Sequence, residues 1–293
     1  MSGDIFEAII KKNITGEAWA WLTEKSSLLS KDANAVQLNT AFTLLPRKTG
    51  KKIIQITEEQ DKNIKKYCPG FLLRDWTADR LSRVYLLTKL NSRSKENFLR
   101  IMQELFKAAE MNELVALYSS LAFLAYPEAW RFQCTEGIRS NIATVLEAIM
   151  YENPYPATYL DEPAWNQMVL KAFFTGKDVD RITGLEERSN KTLANILIDY
   201  AHERWAAHRR VDPRLWQLIG KFIDAHNFPD VQRLFSEGAL TEKKAAALAC
   251  FESNYAPAKN LLGNTAGLHH AILQKTLTWK SLSEEAKNFY SNQ

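Results

Sequence analysis

The sequence predicts an all-α fold, a multi-helical array with HEAT-like, α-solenoid helix pairs toward the C-terminus. Three observations lead there. Apolar residues recur at spacings of three and four, as in Phe98, Ile101, Met102, Leu105 and Phe106. Strand-like alternation stands out at one place, Lys52-Ile53-Ile54-Gln55-Ile56. Breaks fall at Pro46, Cys68-Pro69-Gly70, Tyr126-Pro127, Asn153-Pro154-Tyr155-Pro156, Gly176, Asp212-Pro213 and Phe228-Pro229.

Taken in order, Ile5-Phe6 and Ile9-Ile10 followed by Lys11-Lys12 form a short amphipathic stripe. It suits packing on a bundle, with peripheral membrane attachment as the alternative. Arg47-Lys48-Thr49-Gly50-Lys51-Lys52 reads as a solvated basic loop. Thr57-Glu58-Glu59-Gln60 has the form of a helix start. Asp75-Trp76-Thr77-Ala78-Asp79 supplies capping residues ahead of a helix bearing Leu81, Val84 and Leu87. Further helices start from Glu136, Trp165 and Leu193, and the NPYP corner steers the chain between the first two. From Asp212 the elements shorten: PRLWQLIGKFI, DVQRLFSEG, TEKKAAALACFES and APAKNLL follow with minimal loops. Short paired helices of this kind stack each on the next in HEAT arrays. One all-α domain over residues 1–293 is expected, with a helical core (1–211) and helix pairs (212–293) as its finer division.

Composition narrows the function. A chain of 293 residues with 46% hydrophobic and 25% charged side chains is that of a folded globular protein. Its net charge of +4 is mild and dispersed, and no nucleic-acid motif accompanies it. Cys68, Cys134 and Cys250 lack CxxC pairing, which points away from a disulfide framework or a zinc site. The N-terminus lacks a long apolar h-region, and no run of about eighteen apolar residues occurs, so a reduced, cytoplasmic setting without stable membrane insertion is expected. GxSxG, Walker-type and GxGxxG motifs are lacking, and no cofactor is expected. Trp19, Trp21, Trp130 and Trp216 sit among aliphatic residues, as core tryptophans do.

Helical phase singles out a few polar residues. At about 100° per position, Arg139 falls between Leu146 and Met150 on the helix from Glu136, and Asn166 between Phe173 and Leu170. Arg204 falls between Leu193 and Leu197, and Arg80 between Leu87 and Val84, whereas Gln167 and Lys171 take a wetter side. A buried arginine needs an anion or a route to water. Either each one snorkels or pairs with an acid such as Glu203 or Asp161, or Arg80, Arg139, Asn166 and Arg204 line a cavity for an anionic ligand. Asp199, His202 and Glu203 share one arc of a helix and are the acid–base candidates; a solvated face with local ion pairs is the other reading of them.

The same segments carry a likeness. LLPRKTGK (44–51), ELVALYSSLAFLAYPE (113–128), EGIRSN (136–141), NPYP (153–156), DEPAWNQMVLKAFFTG (161–176) and GLEERSNKTLANILIDYAHERWAAHRR (184–210) resemble the EboA family. The resemblance runs along nearly the whole chain and is most specific over 136–210. It implies no established catalytic activity and no catalytic residues to carry over. It does imply a setting: such proteins are usually encoded in a cluster beside a UbiA-like prenyltransferase, sugar-phosphate-isomerase-like and dehydroquinate-synthase-like proteins, and a metal-dependent hydrolase. That cluster is associated with making or exporting a secondary metabolite. Two functions stay open: a helical scaffold or anionic-metabolite-binding accessory protein, and an enzyme acting on a phosphorylated or prenyl-pyrophosphate intermediate through an arginine-lined cavity.

Overall fold

The computed structural model describes residues 2–32 and 34–290, and these are helical throughout, with two isolated antiparallel bridges and no strand among the described residues. The chain forms two compact units, one running to Trp165 with Arg181–Thr183, the other comprising Asn166–Asp180 and the residues from Gly184 onward. The units divide within a single helix, and the shortening of elements after Asp212 falls inside the second unit. No helix of the described residues is long and apolar enough to cross a membrane.

The first unit holds α1 (Ser2–Asn13), α2 (Gly16–Lys31), α3 (Ala35–Thr49), α4 (Glu58–Tyr67), α5 (Ala78–Lys89), α6 (Lys95–Ala108), α7 (Met111–Ser120), α8 (Arg131–Arg139), α9 (Ala143–Met150) and α10 (Tyr155–Tyr159). Helix α5 is its axis: α1, α2, α3 and α7 all pack on it, and nearly every residue from Ala78 to Leu87 is buried. The stripe of α1 is used in this packing, with Phe6, Ile9 and Ile10 buried and Phe6 edge-on to Phe123. The capping box expected at Thr57 and Gln60 is formed. The strand-like segment instead fixes the entry to α5. Ile54 N–H donates to the Trp76 carbonyl, Ala78 N–H donates to the Lys52 carbonyl, and Ile53 bridges Thr77.

Two expectations change here. Pro46 does not end its helix, and Arg47–Thr49 form the last turn of α3 rather than a loop. Proline lacks the N–H that would reach the carbonyl four residues back; that carbonyl, of Phe42, accepts from Arg83 Nε at 3.2 Å instead. The helix from Glu136 is in fact two. Ser140 adopts extended backbone (ψ 149°) and its hydroxyl accepts from Ile142 N–H, so α8 stops at Arg139 and α9 begins at Ala143.

The junction of α8 with its neighbours is tight at Gly137, where an added Cβ lies 2.5 Å from the Tyr118 ring and 2.6 Å from Ile149. Both neighbours are buried and have nowhere to move. Gly137→Ala is therefore expected to destabilise. Overpacking costs about 1–3 kcal/mol, against roughly 1 kcal/mol gained in helix propensity. A urea midpoint equal to or above that of the wild type would contradict this.

Helix α11 (Glu162–Phe174) leads into the second unit, which contains α12 (Lys191–Ala206), α13 (Phe228–Glu237), α14 (Leu240–Glu252), α15 (Ala256–Gly263), α16 (Ala266–Leu273) and α17 (Trp279–Tyr290). PRLWQLIGKFI is not an α-helix but two 3-10 turns, Pro213–Leu218 and Gly220–Phe222. Helices α13, α15, α16 and α17 and both turns pack on α14. A HEAT array passes contact from each pair to the next; here contact radiates from one helix. Small side chains permit it: Ala245, Ala246, Ala247 and Ala249 are buried, and Gly220 meets the Ala249 backbone directly, its Cβ position only 3.0 Å from Ala249 Cα.

Candidate functional site

Each unit has a cavity of about 340 Å³. That of the first unit is built around Arg80, in the first turn of α5. Its guanidinium lies over the Trp76 ring, 4.0 Å from the centroid. Nε and Nη2 donate to Ser119 Oγ at 3.0 and 2.7 Å. The Ser119 hydroxyl in turn donates to the Val115 carbonyl, which leaves its lone pairs facing Arg80. Arg80 forms no ion pair among the described residues. Burial, then the charge of Arg181, pushes its pKa down to about 10, with Glu152, Asp79 and Glu147 pulling the other way. It keeps its charge at neutral pH.

The other arginines of this cavity differ. Arg181 forks onto Glu152, Nε to Oε1 at 3.1 Å and Nη2 to Oε2 at 2.6 Å, with its Cζ 4.4 Å from the Tyr151 ring centroid. Arg74 Nε shares Glu152 Oε1 at 3.1 Å. One buried carboxylate thus takes two guanidiniums, and the third is left with a hydroxyl and an aromatic face. Thr77, the N-cap of α5, makes no side-chain cap bond, so the first-turn N–H groups add positive potential beside Arg80. Among the described residues, two of the five non-glycine residues with positive φ line this cavity, Asp75 (φ 58°) and Glu152 (φ 50°). Strained backbone of this kind persists where the surroundings hold it, often at ligand sites.

The remaining sequence-derived candidates sit elsewhere. Arg139 does not enter an apolar stripe. It is exposed at the end of α8 and pairs with Glu136, because the break at Ser140 removes the helical phase that placed it between Leu146 and Met150. Asn166 is buried in a reciprocal amide pair with Asn190, which donates at 2.9 Å and accepts at 3.3 Å. Asn190 is the N-cap of α12 and accepts from Leu193 N–H at 2.7 Å, so Asn166 steadies a helix start. Arg204 is half-buried, donates Nε to the Arg210 carbonyl at 2.9 Å and lines the second unit's cavity with Tyr200, Phe173, Phe174 and Arg214. Asp199, His202 and Glu203 lie on the exposed face of α12, where His202 Nε2 meets Asp230 Oδ1 at 2.7 Å. No cluster of three His, Cys, Asp or Glu side chains suited to a metal occurs among the described residues. Burial pushes the Cys68 thiol up to about 11 and those of Cys134 and Cys250 up to about 12, which keeps them protonated and unreactive at neutral pH.

Trp76, Ser119, Glu152 and Arg181 did not stand out in the sequence. Trp76 and Glu152 precede or follow helices, where periodicity carries no direction. Arg181 sits in a 3-10 turn that returns to the first unit. Trp76 meets Arg80 from outside the helix, one residue before the N-cap Thr77, so no helical spacing announced the pair.

A family model described as metabolite traffic protein EboA matches residues 3–220. The chain belongs to the EboA family. The matched span takes in every residue of the Arg80 cavity, as well as α12 and Arg214, and ends before α13. Comparison with curated proteins and with solved structures finds no match.

Proposed function

We propose that the protein is a non-enzymatic accessory factor in the handling of a metabolite, and that it binds a small anionic metabolite at Arg80. The observation that carries this is the state of that side chain: a charged guanidinium, its pKa lowered by burial, with no carboxylate in ion-pair range among the described residues while its neighbours share Glu152. An anion in the cavity supplies the missing partner, and a guanidinium fork beside a helix start without a side-chain cap suits phosphate or carboxylate. The family's description, a metabolite traffic protein, agrees with such a role. Partners are proposed from the family setting: proteins of the same cluster, among them the prenyltransferase and the isomerase-like and hydrolase-like proteins.

The test is co-purification from the native host. Small molecules released when the protein is denatured are compared between wild type and Arg80→Gln by mass spectrometry. An anion is expected with the wild type and lost with the variant, whose affinity for it falls on the order of a hundredfold. Equal thermal melting of the two proteins separates this from misfolding. Release of no anion by wild type, or of the same anion in equal amount by the variant, refutes the proposal.

A further inference from the structure

The cavity of the second unit combines charge with aromatic rings. Its two acids, Asp178 and Asp212, are already matched. Arg214 donates to both oxygens of Asp212 and reaches Asp178 Oδ1 at 3.3 Å, and Lys287 meets Asp178 Oδ2 at 3.3 Å. Arg204 differs from these two cations. Its Nε donates to the Arg210 carbonyl at 2.9 Å, and its terminal nitrogens form no hydrogen bond or ion pair among the described residues. Tyr200 stands four positions before Arg204 on α12, a spacing that puts both side chains on one face of the helix. The Tyr200 phenol registers that proximity: burial raises its pKa, and the Arg204 charge is the first of the influences that pull it back. Phe173 and Phe174, at the end of α11, complete a wall of rings, and Phe174 is 74% exposed. We infer that this cavity is a second ligand site, independent of the one at Arg80, and that it takes a small aromatic acid or aryl phosphate.

The ligand's two halves follow from the two kinds of lining. With the acids engaged by Arg214 and Lys287, the charge of Arg204 calls for an anion, and a planar guanidinium grips a carboxylate or phosphate through parallel N–H donors. The rings call for an apolar body, and aromatic side chains meet another ring edge-on or offset. An anionic group on a flat apolar body pairs the cation and covers Phe174 together. An inorganic anion would leave the rings wet, and a neutral aromatic would leave Arg204 without its counter-charge. The size agrees: at about 340 Å³ the cavity lies at the small end of ligand pockets, which run from about 300 to 1,000 Å³.

Calorimetric titration of the full chain with two matched pairs tests this: benzoate against acetate, and phenyl phosphate against inorganic phosphate. The aromatic member of at least one pair is expected to bind about tenfold more tightly or better, the worth of burying much of a ring. The pair that shows it identifies the anion as carboxylate or phosphate. Arg204→Gln should weaken that binding by about tenfold or more, since it removes a charge-assisted bond. Phe174→Ser should remove most of the aromatic advantage and leave the small anion's affinity as it was. The binding lost in Arg204→Gln should persist in Arg80→Gln, which separates this site from the cavity of the first unit. Equal affinities within both pairs, no binding by any of the four compounds, or aromatic binding that survives both Arg204→Gln and Phe174→Ser overturns the assignment. Aromatic binding lost in Arg80→Gln alone overturns it as well and places the ligand at Arg80. Should Arg204→Gln melt below wild type, Phe174→Ser decides, because a side chain so exposed has little packing to lose.

Discussion

Arg214→Met is expected to destabilise the protein by about 3 kcal/mol, the lower end of the range for removing one partner of a buried ion pair. Arg214 is 5% exposed. Asp212 takes its Nε and Nη2 at 2.6–3.2 Å, and Nη1 points to Asp178 at 3.3 Å and Asp180 at 3.4 Å. Burial pulls the Arg214 pKa down, but the hydrogen bonds and charge of Asp212, with Asp180 and Asp178, outweigh it and raise the pKa overall. Lys287 also faces Asp178 and Asp180, at 3.3 and 3.6 Å, but it is exposed and does not reach Asp212 in the way Arg214 does. Asp212 also caps the turn through Arg214 N–H at 2.9 Å, so its position depends on both bonds. Urea unfolding measures the loss. Adding Asp212→Asn to Arg214→Met should recover part of it, since the cost is one of uncompensated charge. No recovery would assign the effect to lost packing and defeat the electrostatic account.

The fold class was legible because amphipathic periodicity survives without knowledge of neighbours. Arg80 was legible for the same reason, as a cation in phase with Val84 and Leu87 on an apolar stripe. Arg139 shows where that argument stops. No proline or glycine marks the end of α8 at Ser140, and a stripe drawn through an unseen break puts a surface arginine inside the core. Asn166 was correctly placed among apolar neighbours, but its partner Asn190 lies 24 positions on, a distance that periodicity does not span. The radial packing on α14 was hidden because short helices with minimal loops serve a ladder and a hub equally well. Arg83 was hidden by the opposite cause. Helix α5 is covered by α1, α2, α3 and α7, so it has no dry and wet side to betray an intruder. Its one sequence trace is an acid–base spacing of four, Asp79 to Arg83.

The largest loss of stability is expected from Arg83→Met, about 3–5 kcal/mol. Arg83 is 3% exposed and unites three elements. It pairs with Asp79 on its own helix, donates to the Phe42 carbonyl that Pro46 leaves free in α3, and lies 3.9 Å from Glu113 in α7. The Phe42 ring, 5.7 Å from its Cζ, completes the enclosure. Methionine replaces the aliphatic stem but none of these donors. Asp79 then has both carboxylate oxygens buried without a partner among the described residues, and the Phe42 carbonyl loses the Arg83 donor that stands in for the missing proline N–H. Lysine keeps the charge, yet one ammonium cannot meet the Asp79 carboxylate and the Phe42 carbonyl in the fork geometry, so Arg83→Lys should fall between. The double variant Asp79→Asn, Arg83→Met should be markedly more stable than Arg83→Met alone, because a neutral amide bears burial better than an unpaired carboxylate. A loss under about 1 kcal/mol for Arg83→Met, the level of an exposed pair, would mean that water reaches Asp79.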